Sequence, residues 1–154
     1  MINRIAIIDD DEICQFLHKE IILKSGVVGS VKEFSNGLDA IKFLQVNHSK
    51  SDVLPEIIFL DLNMPTMDGF AFIEAYKKVA PTLHQKIKIF VLSSSVAKAD
   101  IDCIKGIPEI SEYIVKPLKK AKFEEIVKMC EVNRPVIRQE TYERSIRIDQ
   151  RDVG

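Results

Sequence analysis

The sequence lacks the defining features of several protein classes. Its three cysteines, Cys14, Cys103 and Cys130, form no close pair, which suits neither a disulfide framework nor a zinc site, so we expect three reduced and mostly buried thiols. No uncharged apolar run reaches membrane-spanning length, and the short apolar N-terminus has no small-residue cleavage site of a signal peptide. The formal net charge is −1, from 22 basic and 23 acidic residues, which gives no general attraction to nucleic acid or to an anionic membrane. We therefore expect a cytoplasmic protein that binds neither.

The sequence predicts one domain in which strands and helices alternate. Its 154 residues suffice for one buried core, and its hydrophobic fraction of 46% is ordinary for a folded soluble protein. Short β-branched runs predict strands, whereas apolar residues at helical spacing, such as Ile13, Phe16 and Leu17, predict helices. The predicted strands cover residues 4–8, 31–34, 56–60, 87–92 and 113–115. The predicted helices cover residues 12–24, 38–46, 70–79, 97–104 and 123–132.

The apolar pattern of the strands indicates how they pair. The third and fourth strands are continuous apolar runs, which is typical of parallel strands covered by helices on both faces. Five strand–helix pairs therefore predict an α/β fold, a doubly wound five-stranded parallel sheet in the common order 2-1-3-4-5. We expect the domain to occupy residues 1–133 and residues 134–154 to form a polar C-terminal tail without an output domain. We expect this tail to pack on its own domain or on a neighbouring subunit, as in a homodimer.

Polar side chains follow the carboxyl ends of four predicted strands, where doubly wound sheets place their sites. Three acids follow the first strand, one acid the third, a serine the fourth and a lysine the fifth. These residues are Asp9, Asp10, Asp11, Asp61, Ser93 and Lys116. Because the first and third strands are neighbours in this order, their carboxylates would repel one another without a counter-charge. The sequence therefore predicts a cation at this edge of the sheet.

Magnesium suits such a group of acids, because it is held by one or two carboxylates, a carbonyl and several waters. Asp10 and Asp61 are the best side-chain ligands, and the backbone carbonyl of Asn63 is a third ligand. Asp9 would lie slightly further out and orient the metal and its water. We therefore expect Mg²⁺, or Mn²⁺, as the cofactor.

Asp61 can also act as a nucleophile, since a carboxylate that attacks phosphorus forms an acyl phosphate. Phosphoryl transfer depends mainly on neutralising the charge of three equatorial oxygens. The metal would take one oxygen, the ammonium of Lys116 another, and the hydroxyl of Ser93 the third. Ser94 or Ser95 could replace Ser93 if the fourth strand ended one residue later.

Four segments together resemble the conserved blocks of response-regulator receiver domains, in that family's order and spacing, over about residues 4–132. The segments are Ile7-Ile8-Asp9-Asp10-Asp11-Glu12, Leu60-Asp61-Leu62-Asn63-Met64-Pro65 with Met67-Asp68-Gly69, Val91-Leu92-Ser93-Ser94-Ser95, and Tyr113-Ile114-Val115-Lys116-Pro117.

The resemblance implies a flavodoxin-like, single-domain regulator of two-component signalling. It implies that Asp61 is the phosphoacceptor, and that a sensor histidine kinase or a histidine phosphotransfer protein is the donor. It implies that Asp9, Asp10 and the carbonyl of Asn63 form the metal site, and that Lys116 binds the phosphate. Such a protein catalyses only its own phosphorylation and dephosphorylation, and it signals by binding a downstream protein partner.

The resemblance also implies which residues respond to phosphorylation. Ser93 would be the switch hydroxyl, and Tyr113 the aromatic residue that swings inward behind it. The peptide bond between Lys116 and Pro117 would be cis, as X–Pro bonds can be. Ser93 stands where threonine is commoner in the family, which keeps the hydroxyl and loses a methyl group.

Other functions are compatible with parts of the pattern. A metal-dependent phosphatase with an aspartyl nucleophile is the main alternative, but such enzymes usually carry a second Asp two positions later, where this chain has Asn63. An inert adaptor would not need the acids, hydroxyl and lysine together. A dinucleotide- or flavin-binding protein is disfavoured, because no Gly-rich phosphate loop follows the first strand. The three histidines, His18, His48 and His84, share no motif, and we expect all three at the surface.

Overall fold

The computed structural model describes residues 1–132, which contain five strands and five α-helices in alternation. The strands are β1 (Ile2–Ile8), β2 (Val28–Phe34), β3 (Ile57–Leu60), β4 (Lys88–Ser93) and β5 (Ile110–Val115). The helices are α1 (Glu12–Lys24), α2 (Gly37–Val46), α3 (Gly69–Val79), α4 (Lys98–Lys105) and α5 (Lys120–Val132), and a single 3-10 turn, Ala80–Thr82, follows α3. The expectation that the tail packs on a subunit falls on residues 134–154, outside the described part of the chain.

The five strands form one parallel sheet in the order β2-β1-β3-β4-β5. The predicted fold class and strand order are therefore confirmed. The bounds of α1 are also as predicted, whereas β2 and β5 each begin three residues earlier than their apolar runs indicate. Both are edge strands, and after the first residue of each an exposed or half-buried polar or glycine pair, Gly29-Ser30 and Ser111-Glu112, interrupts the apolar pattern. No helix within residues 1–132 combines the length and the apolarity needed to cross a membrane.

The central strands divide their side chains between two hydrophobic layers, because successive residues of a strand point to opposite faces. Ile58 and Leu60 of β3 pack with residues of α2 and α3 on one face. Phe59 packs on the other face, with ring centroids 5.8 Å from Phe90 of β4 and 6.3 Å from Phe123 of α5. Apolar positions that alternate between two buried layers explain why β3, and β4 between Lys88 and Ser93, are continuous apolar runs.

Helix α1 packs on the sheet through a face that includes polar residues. Its buried residues are Gln15, His18 and Ile22, at spacings of three and four. The apolar residues Ile13 and Phe16 that helped to predict the helix are 73% and 61% exposed. The prediction that His18 lies at the surface is therefore wrong, because this residue faces the sheet and is 2% exposed.

The cysteines also differ from expectation. Cys103 is exposed, while Cys14 and Cys130 are half-buried. The prediction of mostly buried thiols is wrong, because Cys103 of α4 is open to solvent and Cys14 of α1 and Cys130 of α5 are only partly covered.

Candidate functional site

The backbone holds the predicted site residues at the carboxyl edge of the sheet. The amides of Asp9, Asp61 and Lys116 each donate to a carbonyl oxygen at the end of the adjacent strand, at 3.0, 2.9 and 2.8 Å. These bonds extend the parallel ladders one residue past the strands, so the three side chains start from fixed positions. The predicted convergence of these strand ends is therefore present in the structure.

Three carboxylates meet at this edge. Oxygen atoms of Asp9, Asp10 and Asp61 lie within 4.8 Å of one another. Asp9 and Asp61 are buried, whereas Asp10 is exposed. Carboxylates at this separation repel, and an all-oxygen donor set open to water suits a hard divalent cation such as Mg²⁺. The acids fit the predicted metal, and Asn63 lies on the exposed loop two residues after Asp61.

Asp11, the third acid of the N-terminal run, has a structural role. Its side chain accepts hydrogen bonds from the backbone amides of Ile13 and Cys14, at 2.9 and 3.2 Å. It is therefore the N-cap of α1, which satisfies amides that the helix itself leaves unpaired. These bonds lower the pKa of the Asp11 carboxyl, although burial acts against them.

Lys116 supplies positive charge to two of the carboxylates. Its Nζ atom lies 2.7 Å from Asp9 Oδ2 and 3.7 Å from Asp61 Oδ1. Burial alone would lower the pKa of Lys116, but its hydrogen bond to Asp9 and the charge of Asp61 outweigh burial and raise it. The lysine therefore carries a full positive charge between the acids, at a distance from which it can reach a group bound on Asp61.

Asp61 is electrostatically strained in the absence of a divalent cation. Burial raises its pKa from 3.8 to about 6, and the neighbouring Asp9 and Asp10 add to the effect. The charge of Lys116 and a hydrogen bond from the backbone of Asn63 oppose the rise without cancelling it. Because a nearby cation favours the ionised form of a carboxyl, metal binding would relieve this strain and favour the ionised carboxylate of Asp61.

Hydroxyl groups after β4 form a connected network. Ser93 is fully buried and is the last residue of β4, and its Oγ accepts from the amide of Ser95 at 3.2 Å. The Tyr113 hydroxyl donates to the carbonyl oxygen of Ser95 at 2.7 Å, and Ser95 Oγ donates to Asp100 of α4 at 2.8 Å. The serine run therefore links the strand-end hydroxyl, the predicted switch tyrosine and α4.

The structure adds residues that sequence reasoning missed. Gln15 Nε2 donates to the backbone carbonyls of Asp9 and Phe34, at 2.6 and 2.8 Å. His18 Nε2 accepts from the amide of Leu118 at 3.2 Å, just past the Lys116–Pro117 peptide bond, which is cis as the resemblance implies. These bonds attach α1 to the strand ends and to the loop that carries Lys116. The sequence does contain a sign of this role, because Gln15 and His18 lie at helical spacing with Ile22 and so share one face of α1.

Gly69, which belongs to one of the resembling segments, has a steric role at the start of α3 that the sequence did not indicate. A Cβ atom on Gly69 would lie 2.6 Å from the backbone oxygen of Asp61 and 2.7 Å from Cα of Leu62. No side chain fits at that distance, so glycine alone permits α3 to begin against the Asp61 loop. Asp68 caps the same helix by accepting from the amide of Ala71 at 2.8 Å.

Comparison with known proteins agrees with the geometry. The family model "Response regulator receiver domain" matches residues 5–128. The chemotaxis protein CheY of Thermotoga maritima is 30% identical over 123 residues, which cover 78% of this chain and 90% of CheY. The hybrid signal transduction histidine kinase L of Dictyostelium discoideum is 29% identical over 131 residues, which cover 83% of this chain and only 7% of that kinase.

The fold is also shared with a solved structure. A two-component response regulator from Cytophaga hutchinsonii superimposes with a TM-score of 0.78 at 26% identity, covering 86% of this chain and 98% of the other. The family match runs from within β1 to within α5 and includes every residue of the acid and lysine cluster. The chain therefore belongs to the response regulator receiver domain family.

Proposed function

We propose that the chain accepts a phosphoryl group on Asp61 from a sensor histidine kinase or a histidine phosphotransfer protein, with Mg²⁺ or Mn²⁺ bound, and thereby changes its affinity for a downstream protein. The observation that carries this proposal is the pairing of Asp61 with both a carboxylate cluster and Lys116. The cluster can hold a cation, and the lysine lies 3.7 Å from the accepting carboxylate. Receiver domains act with such kinases, and two relatives are themselves histidine kinases.

The reaction is a transfer between two nucleophiles. An oxygen of Asp61 forms a bond to phosphorus, the bond between phosphorus and the donor nitrogen breaks, and the electron pair stays on the donor imidazole. The protein supplies position and charge: Asp9 and Asp10, with the carbonyl of Asn63, would hold the cation. When bound, the cation neutralises phosphoryl oxygens and keeps Asp61 ionised.

Lys116 and Ser93 then stabilise the product. The Lys116 ammonium, which is hydrogen-bonded to Asp9, would form an ion pair with the phosphoryl group, which adds a charge of about −1.5 to −2. The Ser93 hydroxyl would move to donate its proton to a phosphoryl oxygen, which weakens the hydrogen bond that its Oγ accepts from the amide of Ser95. That movement would disturb the serine turn to which the Tyr113 hydroxyl is bonded, so Tyr113 can leave its present partner and move inward.

The output would be a population shift of the surface formed by α4, β5 and α5. Ser95 bonds to both Asp100 of α4 and Tyr113 of β5, so a change at Ser93 reaches both elements through one turn. We propose that the chain is not a turnover enzyme and catalyses only its own phosphorylation and dephosphorylation. Asn63 supports this reading, because an amide cannot protonate a leaving group as an acid would.

Incubation with phosphoramidate and Mg²⁺, followed by intact-mass measurement, tests this function. We expect the mass of one phosphoryl group to be added, and we expect no addition when EDTA replaces Mg²⁺. Asp61→Asn should abolish the adduct, whereas Asp52→Asn, at an exposed acid in the loop before β3, should leave it unchanged. An adduct that persists in Asp61→Asn, or steady turnover of a small phosphoester, contradicts the proposal.

A further inference from the structure

Two histidines that lie in separate loops meet at the edge of the sheet opposite the phosphoacceptor. His48 follows α2 and His84 follows α3, and both are exposed. Their ring centroids are 6.3 Å apart, with the rings at 74° to each other. Asp61 lies beyond the carboxyl end of β3, whereas both histidines precede the strands β3 and β4, so the pair is separate from the carboxylate cluster.

A backbone hydrogen bond holds the two loops together. The amide of His84 donates to the carbonyl oxygen of His48 at 2.8 Å. On one side, Asn47 is anchored to α2 by its amide and side-chain nitrogen, which donate to the carbonyl of Phe43 at 3.1 and 2.9 Å. On the other side, Thr82 Oγ1 donates to the carbonyl of Val79 at the end of α3, at 2.7 Å. Hydrogen bonds to the ends of α2 and α3 therefore fix the backbone next to both histidines.

We propose that His48 and His84 bind one divalent transition-metal ion, such as Zn²⁺, Ni²⁺ or Cu²⁺. Two imidazoles on one metal, each with a nitrogen about 2.0–2.1 Å from it, have ring centroids roughly 5–6 Å apart, which is close to the 6.3 Å between the rings of His48 and His84. Imidazole favours these metals, whereas Mg²⁺ prefers oxygen ligands, so the ion bound here differs in class from the ion expected beside Asp61.

The consequence of binding is a bridge between the loop after α2 and the loop after α3. Two protein ligands leave the remaining positions to water, so we expect weaker binding than at a closed four-ligand site. An ion that binds the folded chain and not the unfolded chain raises the free energy of unfolding, and above the dissociation constant this gain grows with the logarithm of the ion's concentration. The site therefore makes stability depend on transition metal independently of phosphorylation.

Calorimetric titration of the full, tag-free chain with ZnCl₂ or NiCl₂, in an excess of Mg²⁺ that occupies the carboxylates, tests the site. We expect one ion per chain, and we expect His48→Gln and His84→Gln each to weaken binding by roughly tenfold or more. Asp10→Asn is the matched control, because it removes a carboxylate of the other cluster and should leave Zn²⁺ binding unchanged. Gln at the exposed positions 48 and 84 should leave the fold intact.

NMR of the histidine ring protons provides the second measurement. We expect Zn²⁺ to shift or broaden the resonances of His48 and His84 and to leave those of the buried His18 in place. The proposal is overturned by the absence of stoichiometric binding, or by binding that survives both glutamine variants, or by binding that Asp10→Asn abolishes. Phosphorylation of Asp61 should be normal in both histidine variants, so this proposal and the proposed function can fail separately.

Discussion

The raised pKa of Asp61 predicts that replacing this residue stabilises the metal-free protein. Burial raises the pKa from 3.8 to about 6, so the folded chain binds this proton more tightly than the unfolded chain does. The contribution of Asp61 to stability is therefore complete below about pH 4 and is lost as the pH rises through about 6. Asp61→Asn removes the charge and keeps the shape, so it should recover the lost stability at neutral pH.

The expected gain in the free energy of unfolding follows from the size of the pKa shift of Asp61. A shift of about two units corresponds to about 3 kcal/mol, at about 1.4 kcal/mol per unit. The amide of the new side chain needs partners of its own in a buried place, which reduces the expected gain to about 1–2 kcal/mol. Lys116 keeps its hydrogen bond to Asp9 at 2.7 Å, so the variant leaves no buried lysine without a counter-ion.

Urea denaturation followed by circular dichroism in EDTA measures the effect. We expect Asp61→Asn to unfold at higher urea than the wild type at about pH 7.5, and we expect the difference to shrink by about 2 kcal/mol at about pH 4.5. Excess Mg²⁺ should stabilise the wild type more than the variant. Asp52→Asn, at an exposed acid, serves as the control. A variant that is equally or less stable than the wild type in EDTA at neutral pH would refute the electrostatic account of the site.

Three further substitutions test other contacts by the same denaturation assay. Gly69→Ala should cost about 1–3 kcal/mol, because its Cβ would lie 2.6 Å from a backbone oxygen. His18→Leu should cost about 1–3 kcal/mol at neutral pH by leaving the amide of Leu118 unpaired. Burial lowers the pKa of His18, so protonation of this residue at low pH destabilises the folded wild type but not the leucine variant. The cost of His18→Leu should therefore shrink as the pH falls. Tyr113→Phe should cost about 0.5–1.5 kcal/mol, because it removes one hydrogen bond.

Each of these substitutions has a matched control. A Cβ atom on Gly106 would lie 3.6 Å from the backbone oxygen of Cys103, an ordinary contact distance, so Gly106→Ala should be nearly neutral where Gly69→Ala is not. His48→Gln, at an exposed histidine, is the control for His18→Leu. Ser94→Ala, which removes an exposed hydroxyl beside the Tyr113 contact, is the control for Tyr113→Phe. If a control costs as much as its partner substitution, the contact named for that partner does not explain the loss.

The sequence predicts the fold well because two signals agree. The apolar runs of β3 and β4 reveal a sheet covered on both faces, and the acid, serine and lysine that follow the strands mark its carboxyl edge. The positions of the site residues at this edge were also predictable, since Asp61 directly follows β3 and Lys116 directly follows β5.

The face of α1 was harder to predict, for a physical reason. Apolar spacing through Ile13 and Phe16 predicts a helix but assigns the wrong side to the core. Gln15 and His18 are buried instead, because backbone groups at the strand ends and in the loop after β5 need hydrogen-bond partners. Such a demand arises only once the sheet is assembled, so the apolar spacing does not reveal it.

The pair formed by His48 and His84 shows the same limit. Each residue lies in a polar loop, and nothing around either one distinguishes it from a solvated histidine. Only the packing of α2 beside α3 brings the two loops together, through the bond between the His84 amide and the His48 carbonyl. A contact between distant loops depends on tertiary geometry, which sequence spacing does not contain.

Chemical trapping of the phosphorylated residue tests the central claim most directly. After treatment with phosphoramidate and Mg²⁺, borohydride reduction converts an aspartyl phosphate to homoserine, and tandem mass spectrometry of the peptides locates it. We predict homoserine at position 61 alone, and none when EDTA replaces Mg²⁺. Homoserine at Asp9 or Asp10, or a stable phosphoryl group on a serine or a histidine, would show that the acid and lysine cluster does not direct phosphorylation to Asp61.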